Sequence, residues 1–540
     1  MSDSVSDLTL EEQIGQILMV GFAGTTPTPE ITELIQRYHV GNIVLFSRNV
    51  QDAPQLHELT SSLQKLAREA GQRSPLLIAI DQENGRVQRL GEDATVFPGN
   101  MALGAVGSEQ SAYEIALASG LELRALGVNL NLAPVVDVNN NPANPVISVR
   151  SFGEDPQQVA RLADAQIRGY QNAGVAACIK HFPGHGDTAT DSHLAMPTVP
   201  YKMERLERIE LVPFKSGIAA GTDCVMTAHI SFPALTGDAQ LPATLSPVVL
   251  QQLLREQLGF QGVIMTDCLE MDAIAETVGV AKGTVLAQQA GNDLILISHR
   301  SDRQLAGINA LKAAVQAGEI TPEQIRQAAA RVLALKERLQ QRESEQSAGQ
   351  SLAWVGCEAH RQLRDQIYAR STTLVRDNEK LLPLHLKAEQ RLLVIYTHRE
   401  TWTRVEDKSY PEEFLVESLR QHHANASVVA LTSETTPAEY EELYSAAREA
   451  GVILMVTINA LLDPQQAKVM QTLIELGRPL IGLAPYSPYD LLAFPELGTY
   501  LVTYEYTRPA IAAAVRALFG EIEPQGKLPV SLPGLYPLKA

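Results

Sequence analysis

Residues 175–182, VAACIKHF, begin as an uninterrupted apolar run and end in two adjacent polar side chains, Lys180 and His181. Bounded by Gly174 on one side and by Pro183 and Gly184 on the other, a run this short reads as a strand buried on both faces, as in a parallel sheet. The same form recurs along the chain. QILMVGF (16–22), GNIVLF (41–46), LLIAIDQE (76–83) and VNLNLAPVVDV (128–138) precede it, and CVMTAHI (224–230), GVIMTDCL (262–269) and DLILI (293–297) follow. Amphipathic stretches such as PQLHELTSSLQKLARE (54–69) and PVVLQQLLREQLG (247–259) lie between them. Eight β-then-α units over roughly 300 residues predict a (β/α)8 TIM-type barrel rather than an open doubly wound sheet.

Asp81, Asp137, Lys180, His181, His229 and Asp267 all fall at the C-terminal ends of these runs. That end is the catalytic face of such a barrel. Beyond the helical stretch 320–339, the segment QQRESEQSAGQ (340–350) loses apolar periodicity and reads as a linker. RLLVIYTH (391–398), ASVVALT (426–432), GVILMVTINA (451–460) and PLIGLAP (479–485) then alternate with helical stretches. The expected organisation is a barrel over 1–340, a linker over 341–357, and a smaller doubly wound α/β sandwich domain over 358–540. No P-loop or GxGxxG opens the second domain, so no nucleotide cofactor is expected there.

The formal net charge is −18, from 44 Lys and Arg against 62 Asp and Glu, with no basic run. This argues against nucleic acid or an anionic membrane as partner. The N-terminus, MSDSVSDLTLEEQIGQ, is polar and acidic and predicts no export signal. The four cysteines are widely spaced without a CxxC, three of them in apolar runs. The expectation is a cytoplasmic protein without cofactor or structural metal.

KHFPGHGDTATDSH (180–193) concentrates three histidines, two aspartates and a lysine after a buried strand, in a loop that Pro183, Gly184 and Gly186 keep from being helical. Three readings fit it. His181, His185, Asp187, Asp191 and His193 are competent ligands for a hydrolytic metal. His185 and Asp187 also suit a purely local role in fixing the turn. Asp191 and His193, two residues apart, suit a carboxylate orienting an imidazole for proton transfer near neutral pH. In GVIMTDCLEMDAI (262–274) an apolar strand delivers Asp267 to the pocket mouth; Thr266 and Asp272 are candidate helix caps. Glycoside cleavage with retention needs a carboxylate beneath the anomeric carbon and a proton source above the leaving oxygen, which Asp267 and His193 could supply.

Together with IDQENGRVQRL (80–90), RSFGEDP (150–156) and GKLPVSLPG (526–534), these segments resemble glycoside hydrolase family 3, and more narrowly its β-N-acetylglucosaminidase branch. The resemblance implies a retaining exo-acting enzyme that removes terminal β-linked N-acetylglucosamine from a small saccharide, with muropeptides of peptidoglycan recycling among the implied substrates. It implies Asp267 as nucleophile, His193 as acid/base assisted by Asp191, and Asp81, Arg89, Arg150, Lys180 and His181 as sugar-binding residues. The chain departs from the family pattern at Asn84, where a second glycine is usual, at Cys268, where an acidic residue is common, and at Ser148-Val149 before Arg150. Asn84 tolerates the left-handed geometry of the turn.

Two other functions fit the same residues. A phosphorylase would use inorganic phosphate to resolve the glycosyl-enzyme, and an imidazole acid/base would not repel that anion. A catalytically inactive sugar-binding protein would keep the pocket without turnover. The second domain is expected to brace the barrel, to close over the site, or to form a homodimer.

Overall fold

The computed structural model describes residues 5–189, 196–345, 351–397 and 413–538. Eight short strands, β1 (Leu18–Val20), β2 (Asn42–Leu45), β3 (Leu77–Ile80), β4 (Leu130–Asn131), β5 (Ala176–Phe182), β6 (Cys224–Thr227), β7 (Val263–Thr266) and β8 (Ile295–Ile297), form one parallel sheet. Their order is β7-β6-β5-β4-β3-β2-β1-β8, and a parallel bridge from Met265 to Leu294 joins the two edges into a barrel. These are the eight runs read from the sequence.

Successive strand residues face opposite sides, so every strand is apolar on both. Met19, Val44, Leu77, Ala79, Cys178, Cys224, Met226, Met265 and Leu296 cluster together in the interior, while Ile43, Ile78 and Ile80 pack with residues of the surrounding helices. Two of the long helices start at aspartate caps. Asp52 accepts Gln55 N–H at 2.8 Å ahead of Ala53–Glu69, and Asp155 accepts Gln157 N–H at 3.0 Å ahead of Pro156–Asn172. The predicted helix at 247–259 is present but wound as a wider π-helix over Val248–Gln257.

Side-chain amides extend the ladder where it is short. β3 and β4 share only the pairs Ala79–Leu130 and Ile80–Asn131. At one end Asn129 accepts Ile78 N–H at 2.7 Å and donates to Leu76 O at 2.9 Å; at the other Asn131 accepts Gln82 N–H at 3.0 Å and donates to Gln82 O at 2.9 Å.

The second sheet comprises β9 (Thr373–Asp377), β10 (Leu392–Thr397), β11 (Ala426–Leu431), β12 (Val452–Val456), β13 (Leu480–Ala484) and β14 (Thr499–Val502), ordered β11-β10-β12-β13-β14-β9. Five strands are parallel, four of them the runs read from the sequence; β14 and its antiparallel neighbour β9 at the edge were not foreseen. Contacts between the two parts are apolar and polar. Met101, Ala102 and Val149 join Tyr486, Tyr489 and Tyr504 in one cluster, and Asn139 Nδ2 donates to Tyr489 Oη at 3.1 Å. No helix among the described residues is long and apolar enough to cross a membrane.

At the barrel's N-terminal end, buried Asp223 accepts Ala177 N–H at 3.2 Å and both arms of Arg342 at 2.9 Å, tying the helix Pro322–Glu345 across the base. Asp223→Ala is expected to lower the unfolding free energy by about 3–5 kcal/mol, the scale of breaking one side of a buried ion pair. Urea denaturation measures the loss; kcat/KM, set at the opposite end, should stay near wild type.

Candidate active site

A cavity of about 170 Å³ opens at the C-terminal mouth of the barrel, and Asp81, Arg89, Arg150, Lys180, His181 and Asp267 all line it, together with Glu83. Lys180 and His181 are sequence neighbours, which an ideal strand would send to opposite faces. The β5–β6 register breaks between Ile179 and Phe182, and both side chains reach the cavity.

The floor is an ion network. Lys180 Nζ lies 2.7 Å from Asp81 Oδ1 and 2.7 Å from Glu83 Oε1, and Arg150 donates from Nε and Nη2 to the two Glu83 oxygens at 2.8 Å each. Burial alone would push the Glu83 carboxyl up, but the charges of Arg150 and Lys180 hold it far below the usual carboxylate range. The same balance, with burial opposed by Asp81 and Glu83, holds Lys180 above its ordinary value. Buried Glu83, Arg150 and Lys180 thus hold one another in their ionised forms. Arg89 lines the wall, and its backbone N–H donates to Gln82 Oε1 at 2.9 Å.

Beside the network, Asp137 Oδ2 meets His181 Nδ1 at 2.7 Å while its other oxygen accepts the His185 N–H at 2.6 Å. A carboxylate facing Nδ1 keeps the proton there and leaves Nε2, 3.4 Å from Arg150 Nη2, on the cavity side. His185 Nδ1 lies 2.8 Å from Thr188 Oγ1; burial, and then the charge of His181, push its imidazole down to about 4, so it is neutral at neutral pH. Asp187 pairs with Arg205 at 3.5 Å. His185 and Asp187 therefore serve the loop.

Asp267 emerges where β7 leaves the ladder. Thr266 Oγ1, in place of a strand carbonyl, accepts Leu296 N–H at 3.0 Å, and the chain turns so that Asp267 faces the cavity, its Oδ1 accepting Cys268 N–H at 2.7 Å. His229 is buried between Thr244 Oγ1 at 2.8 Å and Cys268 O at 2.9 Å, so it braces this turn rather than facing the cavity. Burial, with Glu270 nearby, pushes the Cys268 thiol up to about 12, so a neutral group stands next to the nucleophile candidate. Asn84 adopts φ 69°, the left-handed turn expected of it.

Asp191 and His193 lie outside the described residues. Among those described, Cys268, Glu270 and His299 bring metal-ligand atoms within 4.8 Å of one another. Glu270, however, accepts the His299 and Arg300 amides at 2.6 and 3.2 Å, and Arg48 Nη1 sits 3.1 Å from His299 Nδ1. These groups latch the loop after β7 to the loop after β8, in surroundings whose added charge is cationic. Glu83 was missed in the sequence reading. Its signal was period two: Glu83 lies two residues beyond Asp81, on the same side of the extended β3 terminus.

This mouth, with its carboxylates and sugar-sized cavity, belongs to a glycoside hydrolase. Residues 9–335 match the glycosyl hydrolase family 3 N terminal domain. Beta-hexosaminidase A of Pseudoalteromonas piscicida is 33% identical over 592 residues, covering 97% of each chain. Beta-hexosaminidase of Stenotrophomonas maltophilia (strain K279a) is 38% identical over 289 residues, 52% of this chain and 83% of its own. Among solved structures, a fungal multi-domain family 3 β-N-acetylglucosaminidase carrying a GCN5-related glucosamine N-acetyltransferase region is 44% identical, with a TM-score of 0.92 over 98% of this chain; this chain spans 61% of that one. A family 3 β-N-acetylglucosaminidase from Paenibacillus sp. str. FPU-7 is 42% identical, with a TM-score of 0.90 over 97% of this chain and 99% of its own. The chain belongs to glycoside hydrolase family 3.

Glu83→Gln is expected to lower kcat/KM by about 100-fold, since it leaves Arg150 and Lys180 sharing a neutral amide. Because the folded Glu83 carboxyl lies below its ordinary 4.5, its stabilising contribution is present above about pH 4.5 and is lost as pH falls below it. Urea midpoints measured from pH 6 downward should therefore fall more steeply for wild type than for Glu83→Gln.

Proposed function

We propose that this enzyme is a retaining, exo-acting β-N-acetylglucosaminidase that works through a covalent glycosyl-enzyme on Asp267. The observation that carries the reading is that Asp267 projects into the same closed-ended cavity as the Asp81–Lys180–Glu83–Arg150 network. A neutral sugar offers hydroxyls, which both donate and accept. Carboxylates at Asp81 and Glu83 and the outward nitrogen of His181 suit the donors, while Lys180, Arg150 and Arg89 suit the oxygens. With the charges already paired, little reorganisation is needed when the sugar displaces water. The names of the two relatives and two structures above support N-acetylglucosamine as the sugar.

In this reading Asp267 attacks the anomeric carbon as His193, oriented by Asp191, protonates the leaving oxygen. His193 then takes a proton from water, which attacks the same carbon from the face the leaving group left as the carbon–Asp267 bond breaks and frees the carboxylate, giving net retention. The Asp191–His193 assignment rests on spacing and family resemblance. Peptidoglycan-derived fragments in a cytoplasmic setting extend the proposal, and four unpaired thiols suit a reducing compartment.

The test is hydrolysis of 4-nitrophenyl N-acetyl-β-glucosaminide, with the β anomer of N-acetylglucosamine appearing first by NMR. First release of the α anomer would overturn retention, and accumulation of sugar 1-phosphate in added phosphate would assign a phosphorylase. Asp267→Ala should lower kcat by about 10⁴ or more. His193→Ala should lose far less on this activated substrate than on a disaccharide, because a good leaving group needs no proton; equal losses would remove His193 from the acid role.

A further inference from the structure

Glu505 lies in the turn after β14, yet its carboxyl reaches back beneath the barrel's sugar-binding loops. It is 2% exposed. Oε1 accepts the N–H of Gly99, and Oε2 accepts Tyr368 Oη at 2.7 Å, with Thr507 Oγ1 donating to the same phenol at 3.2 Å. Two barrel turns close around the carboxyl: a Cβ at Gly85 would lie 2.9 Å from Oε1 and one at Gly99 3.3 Å, so only glycine admits it at either place. Both turns lead to the sugar-binding floor. Gly85 follows the segment bearing Glu83 and bonds Phe97 O at 2.9 Å, and Asn100, next to Gly99, donates to Arg150 O at 2.8 Å. Glu83, Arg86, Asn100, Arg150, Tyr504 and Glu505 share a small cavity behind that floor.

We propose that Glu505 is a positioning residue through which the second part of the chain sets the Glu83–Arg150 pair for saccharide binding. It touches neither the sugar nor the reacting atoms; it acts through Gly99, Asn100 and the Gly85 turn. The inference rests on the reading of Glu83 and Arg150 as saccharide-binding groups. Burial pushes the Glu505 carboxyl up to about 8, so near neutrality it is a neutral acid whose O–H, like the Nε2–H of a glutamine in its place, needs Tyr368 Oη to turn from donor to acceptor. The charged or titratable groups around it are Glu83, Arg86 and Arg150 of the barrel loops, Tyr368, and Tyr504. Ionisation above pH 8 adds a second negative charge behind the Glu83 carboxylate.

The experiment measures KM and kcat separately on 4-nitrophenyl N-acetyl-β-glucosaminide from pH 6 to 9, for the full-length wild type, Glu505→Gln and Glu505→Ala. Glu505→Ala should raise KM roughly tenfold, the scale of one buried hydrogen bond, with a smaller change in kcat. Glu505→Gln should keep the wild-type KM at pH 6, and the wild type but not Glu505→Gln should show a rise in KM above about pH 8. Identical KM profiles for wild type and Glu505→Gln would overturn the proposal. So would a Glu505→Ala enzyme with a lower melting temperature and lower kcat but unchanged KM, the mark of a merely structural role. If Glu505→Ala does not fold, the Glu505→Gln profile decides. A wild type inactive on this substrate would instead sink the activity reading.

Discussion

A carboxylate removed from water must be met by cations and donors or it will not stay charged, and Glu83 imposes that condition on the mouth of the barrel. Meeting it calls Arg150 in from one loop and Lys180 from the end of β5, and Lys180 in turn engages Asp81. The backbone bends to suit. Ser148 takes φ 41°, unusual for a residue with a side chain, in the short helical turn that presents Arg150. Asp137 applies the same logic one layer out, spending its oxygens on His181 and His185. The floor is thus a preset of ionised groups whose geometry belongs to the protein before any sugar arrives.

That preset is not built by the barrel alone. The loops that carry Glu83 and Arg150 rest on a surface formed by the turns after β13 and β14, where Arg86 lies over the ring of Tyr486 and Asn139 bonds Tyr489. None of these second-sheet residues lines the main cavity. They meet the site through the loops that carry Glu83 and Arg150.

The barrel was legible because each strand lies in a short apolar run, five of the eight runs carry a polar residue near the C-terminal end, and helices on the outside favour apolar residues on both faces. Asp81, Lys180 and Asp267 could be placed because strand ends and family motifs both pointed to the mouth, and Arg150 because of its family motif alone. Glu83 was hidden in its own motif, since a carboxylate beside Asp81 looks redundant until Arg150 and Lys180 arrive from about 65 and 100 residues away, at separations of 67 and 97 along the chain. Asp137 and His229 were expected at strand ends but lie beyond β4 and β6, where they brace loops, because which partner claims a polar side chain is decided by long-range packing. β9 and β14 escaped notice for a local reason. TLVRD is half-exposed and carries charges, and TYLV is only four residues long.

Side chains standing in for backbone recur wherever a strand must stop so that a functional residue can turn inward. Asn129 and Asn131 finish the β3–β4 ladder, and the Thr266 hydroxyl takes over a strand carbonyl's task just before Asp267. Each such position demands a particular reach and a particular arrangement of donor and acceptor, although nothing there touches a ligand. The enzyme's freedom to vary is therefore curtailed by a collar of amides and hydroxyls beneath the pocket, a grammar of strand endings that any drift in substrate preference must leave intact.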